Sequence, residues 1–367
     1  MIYAIIAILA LGFLLYIVIT GQPAFGAEPK GKRLARMKKS LHYKNNQFQN
    51  LSYTPSVAEG HSMPEVMYDF FFKKKDPYLK PHKNVPAIHT DLKAIPKDQD
   101  VFIWLGHSSY YIQTDGVSFL IDPVLSAYGS PFKYFNKAFA GADVFKPEDI
   151  PALDYLVITH DHYDHLDYPT VKAVRDRVGK VILPLGVGAH LERWGYPESQ
   201  IIEEEWGDKA DLKNGIIIIY TPARHFSGRK ISRNRTLWTS YVLETPTKKI
   251  FLGGDSGYDT HFKMIGDQYG PFDYAIIENG QYNEAWKYIH ALPEDVIQAS
   301  LDVNARNIIP VHSSKFALAL HPWNEPLKKV TSLGKAKNLH VLTPMIGEPV
   351  DLNKRDQVFS DWWEDDY

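Results

Sequence analysis

Short apolar runs bounded by turn residues, rather than long amphipathic stripes, organise most of this chain. Residues 101–105, 109–113 and 118–121 read as strands, the last two joined by Asp115-Gly116, a pair that favours a tight hairpin turn. Residues 155–158 are apolar without a break and read as a buried strand. A helix over 169–178, a strand over 181–184 and a helix over 187–194 then alternate in the manner of α/β units. Further strands are expected at 216–220, 240–244, 249–252, 274–277 and 307–311. The order of hairpins followed by α/β units occurs twice, which predicts an α/β protein of two similar halves, with two central sheets and helices outside.

The N-terminal pattern differs. Residues 2–20 are almost wholly apolar and uncharged, and at about 1.5 Å per residue they are expected to cross a hydrocarbon core of roughly 30 Å. No Lys or Arg precedes them, whereas Lys30, Lys32, Arg33, Arg36, Lys38 and Lys39 follow, so a single-pass membrane anchor over 1–20 with a cytoplasmic body is expected. The alternative is a signal peptide cleaved near Ala24-Phe25-Gly26, leading to a periplasmic or exported body, but the basic n-region is missing. Residues 21–98 are basic and rich in Asn, Pro and Tyr, an extension that wraps the next domain or links it to the membrane. Within it, Phe70-Phe71-Phe72-Lys73-Lys74-Lys75 suits either lipid headgroups or a buried apolar turn with solvated lysines. The body is expected over 99–350, with an acidic, aromatic tail over 351–367.

Composition narrows the chemistry. The 367 residues are 44% hydrophobic, enough for one large core or two smaller ones. A net charge of -2 and the lack of a long basic stripe in the body argue against a nucleic-acid partner. Cysteine is absent, so disulfides, thiolate metal sites and cysteine nucleophiles are excluded together, and any metal must be held by His, Asp and Glu.

The densest chemistry lies at 159–167, where Thr159-His160-Asp161-His162-Tyr163-Asp164-His165-Leu166-Asp167 holds three histidines and three aspartates directly after the strand at 155–158. Capping the following helix needs one Asp; a His-x-His-x-Asp-His series supplies the imidazole and carboxylate donors that Zn²⁺, Fe or Mn prefer. Later strand ends deliver isolated donors: His225 after 216–220, Asp255 after 249–252 through Gly253-Gly254, and His312 after 307–311. Open α/β architectures gather ligands at such carboxyl ends.

Together His160-x-His162-x-Asp164-His165, His225, Asp255 and His312 resemble the metal motif of the metallo-β-lactamase superfamily. Within it, the chain resembles the N-acyl-phosphatidylethanolamine-hydrolysing phospholipase D group. Trp104-Leu105-Gly106-His107, Phe119-Leu120-Ile121-Asp122-Pro123, Pro222-Ala223-Arg224-His225, Asp255-Ser256-Gly257-Tyr258 and Phe316-Ala317-Leu318-Ala319 extend the resemblance over about 95–330.

The resemblance implies the αββα sandwich of the metallo-β-lactamase fold. It implies one zinc on His160, His162 and His225, a second on Asp164, His165 and His312, and Asp255 bridging both, with iron or manganese accepted by the same donors. The ions would share a hydroxide that attacks phosphorus or a carbonyl carbon. Asp164, Asp255 and His290 carry the catalytic expectation, His290 by stabilising charge or helping to protonate the leaving group, and His107 backs the ligands. After His312 the Ser313-Ser314-Lys315 sequence departs from the lipid enzymes, and Lys315 is either a charge near the phosphate or a solvated lysine. The aromatic stretch at 128–139 either lines an acyl-chain groove or packs in the core. The expected function is a membrane-associated phosphodiesterase acting on phospholipid or another phosphodiester, compatible with a homo-oligomer. A lactonase or carboxylic-ester hydrolase of the same fold is the alternative, and a tethered interaction protein on a degenerate hydrolase fold fits poorly with a full ligand set.

Overall fold

Every expected strand of the body forms, and the computed structural model, which describes residues 2–364, adds elements at the edges of both sheets. The extension carries α1 (Ile2–Thr20), α2 (Gly31–Met37), the hairpin β1 (Tyr43–Lys44) and β2 (Gln47–Phe48), and α3 (Met63–Phe71). The first half of the body runs β3 (Val101–Trp104), β4 (Tyr110–Thr114), β5 (Val117–Ile121), β6 (Leu153–Val157), α4 (Tyr168–Val174), β7 (Val178–Pro184), α5 (Gly188–Arg193) and β8 (Ile201–Glu204). The second half begins with β9 (Lys209–Asp211), β10 (Ile217–Thr221), β11 (Ser240–Glu244), β12 (Lys249–Leu252), α6 (His261–Tyr269) and β13 (Phe272–Glu278). It continues through α7 (Pro293–Asp302), β14 (Ala305–Val311), α8 (Glu325–Ala336), β15 (His340–Val341) and β16 (Pro349–Asp351).

The two halves repeat one another. One sheet has the order β16-β3-β4-β5-β6-β7-β8 and the other β9-β10-β11-β12-β13-β14-β15. In each, three antiparallel pairings are followed by three parallel ones. The mixed αββα sandwich expected from the sequence is therefore the observed fold. Its strands read as unbroken apolar runs because both faces are covered. In β11, Tyr241 and Leu243 face the layer between the sheets, whereas Val242 packs outward with Phe262 and Ile265 of α6 and Val296 of α7. Tyr241 also donates its hydroxyl to Ile158 O at 2.6 Å, tying the second sheet to the first.

Some elements differ from expectation. The helix expected over 169–178 ends at Val174, passes through one tight turn at Arg175–Arg177, and Val178 already opens β7. Helices α6, α7 and α8 were not predicted. In α6 only Phe262 and Ile265 supply large buried apolar side chains, too few for a visible stripe.

The single-pass anchor is not borne out: among the described residues no helix is long and apolar enough to cross a membrane. The 19 residues of α1 cover about 28 Å at 1.5 Å per residue, short of a hydrocarbon core of about 30 Å. Its large side chains, Leu9 and Phe13 among them, are exposed. The cytoplasmic placement of the body and the membrane as a partner rested on that anchor and lose their basis with it.

The extension is fastened to the body rather than trailing from it. Met37, Tyr43 and Phe48 bury against Leu185, Leu237 and Trp238, and Arg33 bridges Glu192 at 2.8 Å and Glu203 at 2.7 Å. Phe71 and Phe72 are exposed, not folded under the core. At the other end, Trp362 and Trp363 of the expected tail are buried in the main core, while its last three residues, 365–367, lie outside the described residues, as does Met1.

Candidate metal centre

The strand ends converge where the sequence pattern pointed. The loop after β6 supplies His160, His162, Asp164 and His165; the loops after β10, β12 and β14 supply His225, Asp255 and His312. His160 Nε2 and His225 Nε2 lie 2.9 and 3.2 Å from His162 Nδ1, three ring nitrogens aimed at one point. Beside them, Asp164, His165 and His312 gather with His107 into a second set of donor atoms, all within 4.8 Å of one another. Asp255 sits between the sets. Its Oδ2 is 3.1 Å from His165 Nε2 and 3.9 Å from His160 Nε2, and its Oδ1 is 3.1 Å from His312 Nδ1.

Several of these atoms have no hydrogen-bond partner although they are buried: His162 Nε2, His165 Nε2, His312 Nε2 and Asp255 Oδ1. Orphaned buried polar atoms are costly, and a cation among them removes the cost. Burial also holds the His107 and His162 imidazoles down to about 4, and those of His160, His225 and His312 well below the ordinary value. Neutral imidazole is the form that lends a lone pair to a metal. Burial pushes the Asp255 carboxyl up to about 6. Burial acts against charge on His165 as well, but the Asp255 and Asp164 carboxylates outweigh it and raise the ring well above its usual range. His and Asp donors around orphaned atoms fit a metal ion.

Partners behind the donors fix their orientation. His225 Nδ1 donates to Ile289 O at 2.7 Å, which leaves Nε2 as the donor atom. Asp122 accepts from Thr159 N at 2.8 Å, Thr159 Oγ1 at 2.6 Å and His165 Nδ1 at 2.9 Å. His107 Nε2 meets Asp164 Oδ2 at 2.9 Å. His107, Asp122 and His312 all hold left-handed backbone, with φ of 54°, 42° and 68°. For residues with a side chain this costs roughly 1–2 kcal/mol each, strain of the kind that collects at functional sites.

Two of the cluster's aspartates serve the scaffold. Asp161 accepts from Gly228 N at 2.7 Å and Thr236 Oγ1 at 3.0 Å, and Asp167 caps α4 by accepting from Thr170 N at 3.2 Å. Lys315 is not solvated. It is wholly buried, with Nζ on Val124 O at 2.9 Å and Leu105 O at 3.3 Å, and burial lowers its amine to about 8. The following Phe316 packs over His107, which turns the lysine down into the scaffold. In the aromatic stretch only Phe139 is buried, whereas Phe132, Tyr134 and Phe135 are exposed. Gly129 of that stretch lies against the site, since a Cβ there would stand 3.3 Å from Asp164 Cβ.

His290 joins the assembly, its ring 5.0 Å from that of His225 and 5.2 Å from that of His312. Glu278, Asn50 and Ile289 also touch the site, and sequence reading missed their roles. Only Glu278 left a signal, as an acid ending the apolar run at 274–277.

Comparison with known proteins agrees with this assembly. The profile of the β-lactamase superfamily domain matches residues 118–313. An uncharacterised protein of Mycobacterium tuberculosis is 34% identical over 351 residues, covering 94% of this chain and 93% of its own. The N-acyl-phosphatidylethanolamine-hydrolyzing phospholipase D 1 of Caenorhabditis elegans is 32% identical over 252 residues, 64% of this chain and 69% of that protein. Among solved structures, Igni18, a metallo hydrolase from the archaeon Ignicoccus hospitalis, superposes with a TM-score of 0.53 at 25% identity, over 69% of this chain and 98% of its own.

Proposed function

The chain belongs to the β-lactamase superfamily as a metal-dependent hydrolase, and from that premise we propose that it is a two-zinc phosphodiesterase of phospholipase D type, acting on N-acyl-phosphatidylethanolamine-like lipids. The observation that carries the reading is the convergence of two sets of buried donors on either side of Asp255. In this reading His160, His162 and His225 hold one ion, Asp164, His165 and His312 hold the other, and Asp255 touches both.

Bound ions at such a site supply a water acidified to near neutral pH and charge to neutralise the phosphoryl oxygens. The chain's own part is positioning. The hydrogen bonds from His165 to Asp122, from His225 to Ile289 O and between His107 and Asp164 keep the donors in register before any ion arrives. His290, with 15% of its side chain exposed, stands at the mouth of the site and meets an oxygen of the substrate. The lipid part of the reading is supported by the likeness to the nematode enzyme and by the exposed Phe132, Tyr134 and Phe135 of the stretch whose Gly129 lies against Asp164. The catalytic unit is residues 99–350, braced by the extension at 21–98.

The test is product analysis. The purified protein, supplied with zinc, is incubated separately with N-acyl-phosphatidylethanolamine, a water-soluble phosphodiester and a lactone. Release of phosphatidate and N-acylethanolamine supports the proposal. Turnover of the soluble ester alone removes the lipid claim, and lactone opening or fatty-acid release without phosphoester cleavage refutes the phosphodiesterase.

A further inference from the structure

Glu278, the last residue of β13, is 2% exposed. Alternation along the strand explains its direction: Tyr274 and Ile276 point into the layer between the sheets, while Ala275 and Ile277 face the outer helices. Glu278 continues the inner face to the strand end, where the metal donors lie.

Its carboxylate is fully engaged. Oε1 accepts from Ala291 N at 2.7 Å, and Oε2 lies 2.9 Å from His290 Nδ1. Among the described residues no other hydrogen bond holds the His290 ring. That ring lies nearly parallel to the ring of His312, at 17°, and edge-on to His225, at 65°. With Nδ1 turned inward to Glu278, Nε2 is the nitrogen left for an incoming molecule.

We infer that Glu278 is a positioning residue that locks His290 with Nδ1 inward, so that Nε2, which donates once the ring takes up a second proton, faces an oxygen of the phosphodiester. The inference rests on the phosphodiesterase reading above for the identity of that oxygen. A buried carboxylate behind a histidine fixes both ring orientation and tautomer, which free rotation about the side-chain bonds would otherwise scramble. The competing occupant is an ion, because Asp255, Glu278, His290 and His312 also offer donor atoms within 4.8 Å of one another.

The experiment compares the full-length wild type with Glu278→Ala, Glu278→Gln and His290→Gln, each loaded with zinc. Metal content is measured by elemental analysis, and the His290 ring is observed in an imidazole ¹⁵N–¹H spectrum, assigned by its loss in His290→Gln. Turnover of bis(p-nitrophenyl) phosphate and of a dialkyl phosphodiester gives kcat and KM. The expected result is a single His290 tautomer in the wild type that is lost in Glu278→Ala, with metal content unchanged. kcat should fall about 10- to 100-fold with KM near wild type, and Glu278→Gln should recover part of the loss. Mixed His290 tautomers in the wild type overturn the inference even if Glu278→Ala does not fold. So does loss of one ion per chain in Glu278→Ala, which would make Glu278 a ligand. If the wild type cleaves neither phosphodiester, the phosphodiesterase reading fails, while the tautomer spectrum still decides the role of Glu278.

Discussion

Asn50 and His225 hold each other by a reciprocal pair of hydrogen bonds: Asn50 Nδ2 donates to His225 O at 2.8 Å, and His225 N donates to Asn50 Oδ1 at 3.1 Å. The extension therefore sets the backbone of a histidine to which the proposed site assigns an ion. Asn50→Ala leaves both His225 backbone groups without these partners, which costs about 1–3 kcal/mol. Thermal melts should show that loss, and zinc titration should show weaker binding in a protein that remains folded.

Gly257 guards the same histidine from the other side. A Cβ at Gly257 would lie 2.2 Å from Tyr288 C and O and 2.7 Å from Ile289 N, all backbone atoms. Ile289 O is the acceptor for His225 Nδ1. Gly257→Ala must push that segment away, at a cost of about 1–3 kcal/mol. Denaturant titration should register the destabilisation, and zinc affinity should fall with it.

Asp122 bears on the other donor set through His165. Three donors point at its carboxylate, two of them at Oδ2. Asn tolerates the left-handed backbone there but offers one acceptor oxygen in place of two. Asp122→Asn should therefore fold and bind zinc about 10- to 100-fold more weakly, measured by competition with a chelator.

Away from the donors, His261 gives a pH signature. Burial holds its imidazole down to about 3, below the ordinary 6.5, with Ser256 Oγ 3.0 Å from Nε2. The folded state refuses a proton that the unfolded state accepts. The contribution is complete above about pH 6.5 and is lost as pH falls from there toward 3. Urea denaturation across that range should show a shallower acid loss for His261→Gln than for wild type. The difference between the two proteins isolates His261 from the other buried histidines, both those held down, such as His160 and His225, and His165, which is raised.

The parts of the site that were legible share one cause. His160, His162, Asp164, His165, His225, Asp255 and His312 each follow an apolar strand, and burial of both sheet faces leaves such a strand as an unbroken apolar run that can be read from sequence. Asp122, Asn50 and Ile289 act through hydrogen bonds between distant segments, which leave no spacing to read. The burial of Lys315 is not legible because lysine is rarely buried, and here two carbonyl oxygens receive its amine. The extension escaped a periodic reading since Arg33 and scattered residues such as Met37 and Phe48 fasten it. The N-terminal apolar run was read as an anchor from length and charge flanks alone, and it forms a helix of 19 residues that falls short of one.

The most direct measurement is metal reconstitution. The protein is stripped with chelator, then titrated with zinc while bound metal and phosphodiester turnover are followed together. The account predicts turnover that returns as binding reaches two ions per chain, with His160→Ala and Asp164→Ala each unable to hold both. Full phosphodiester turnover by the stripped protein, or saturation below one ion per chain, would contradict it.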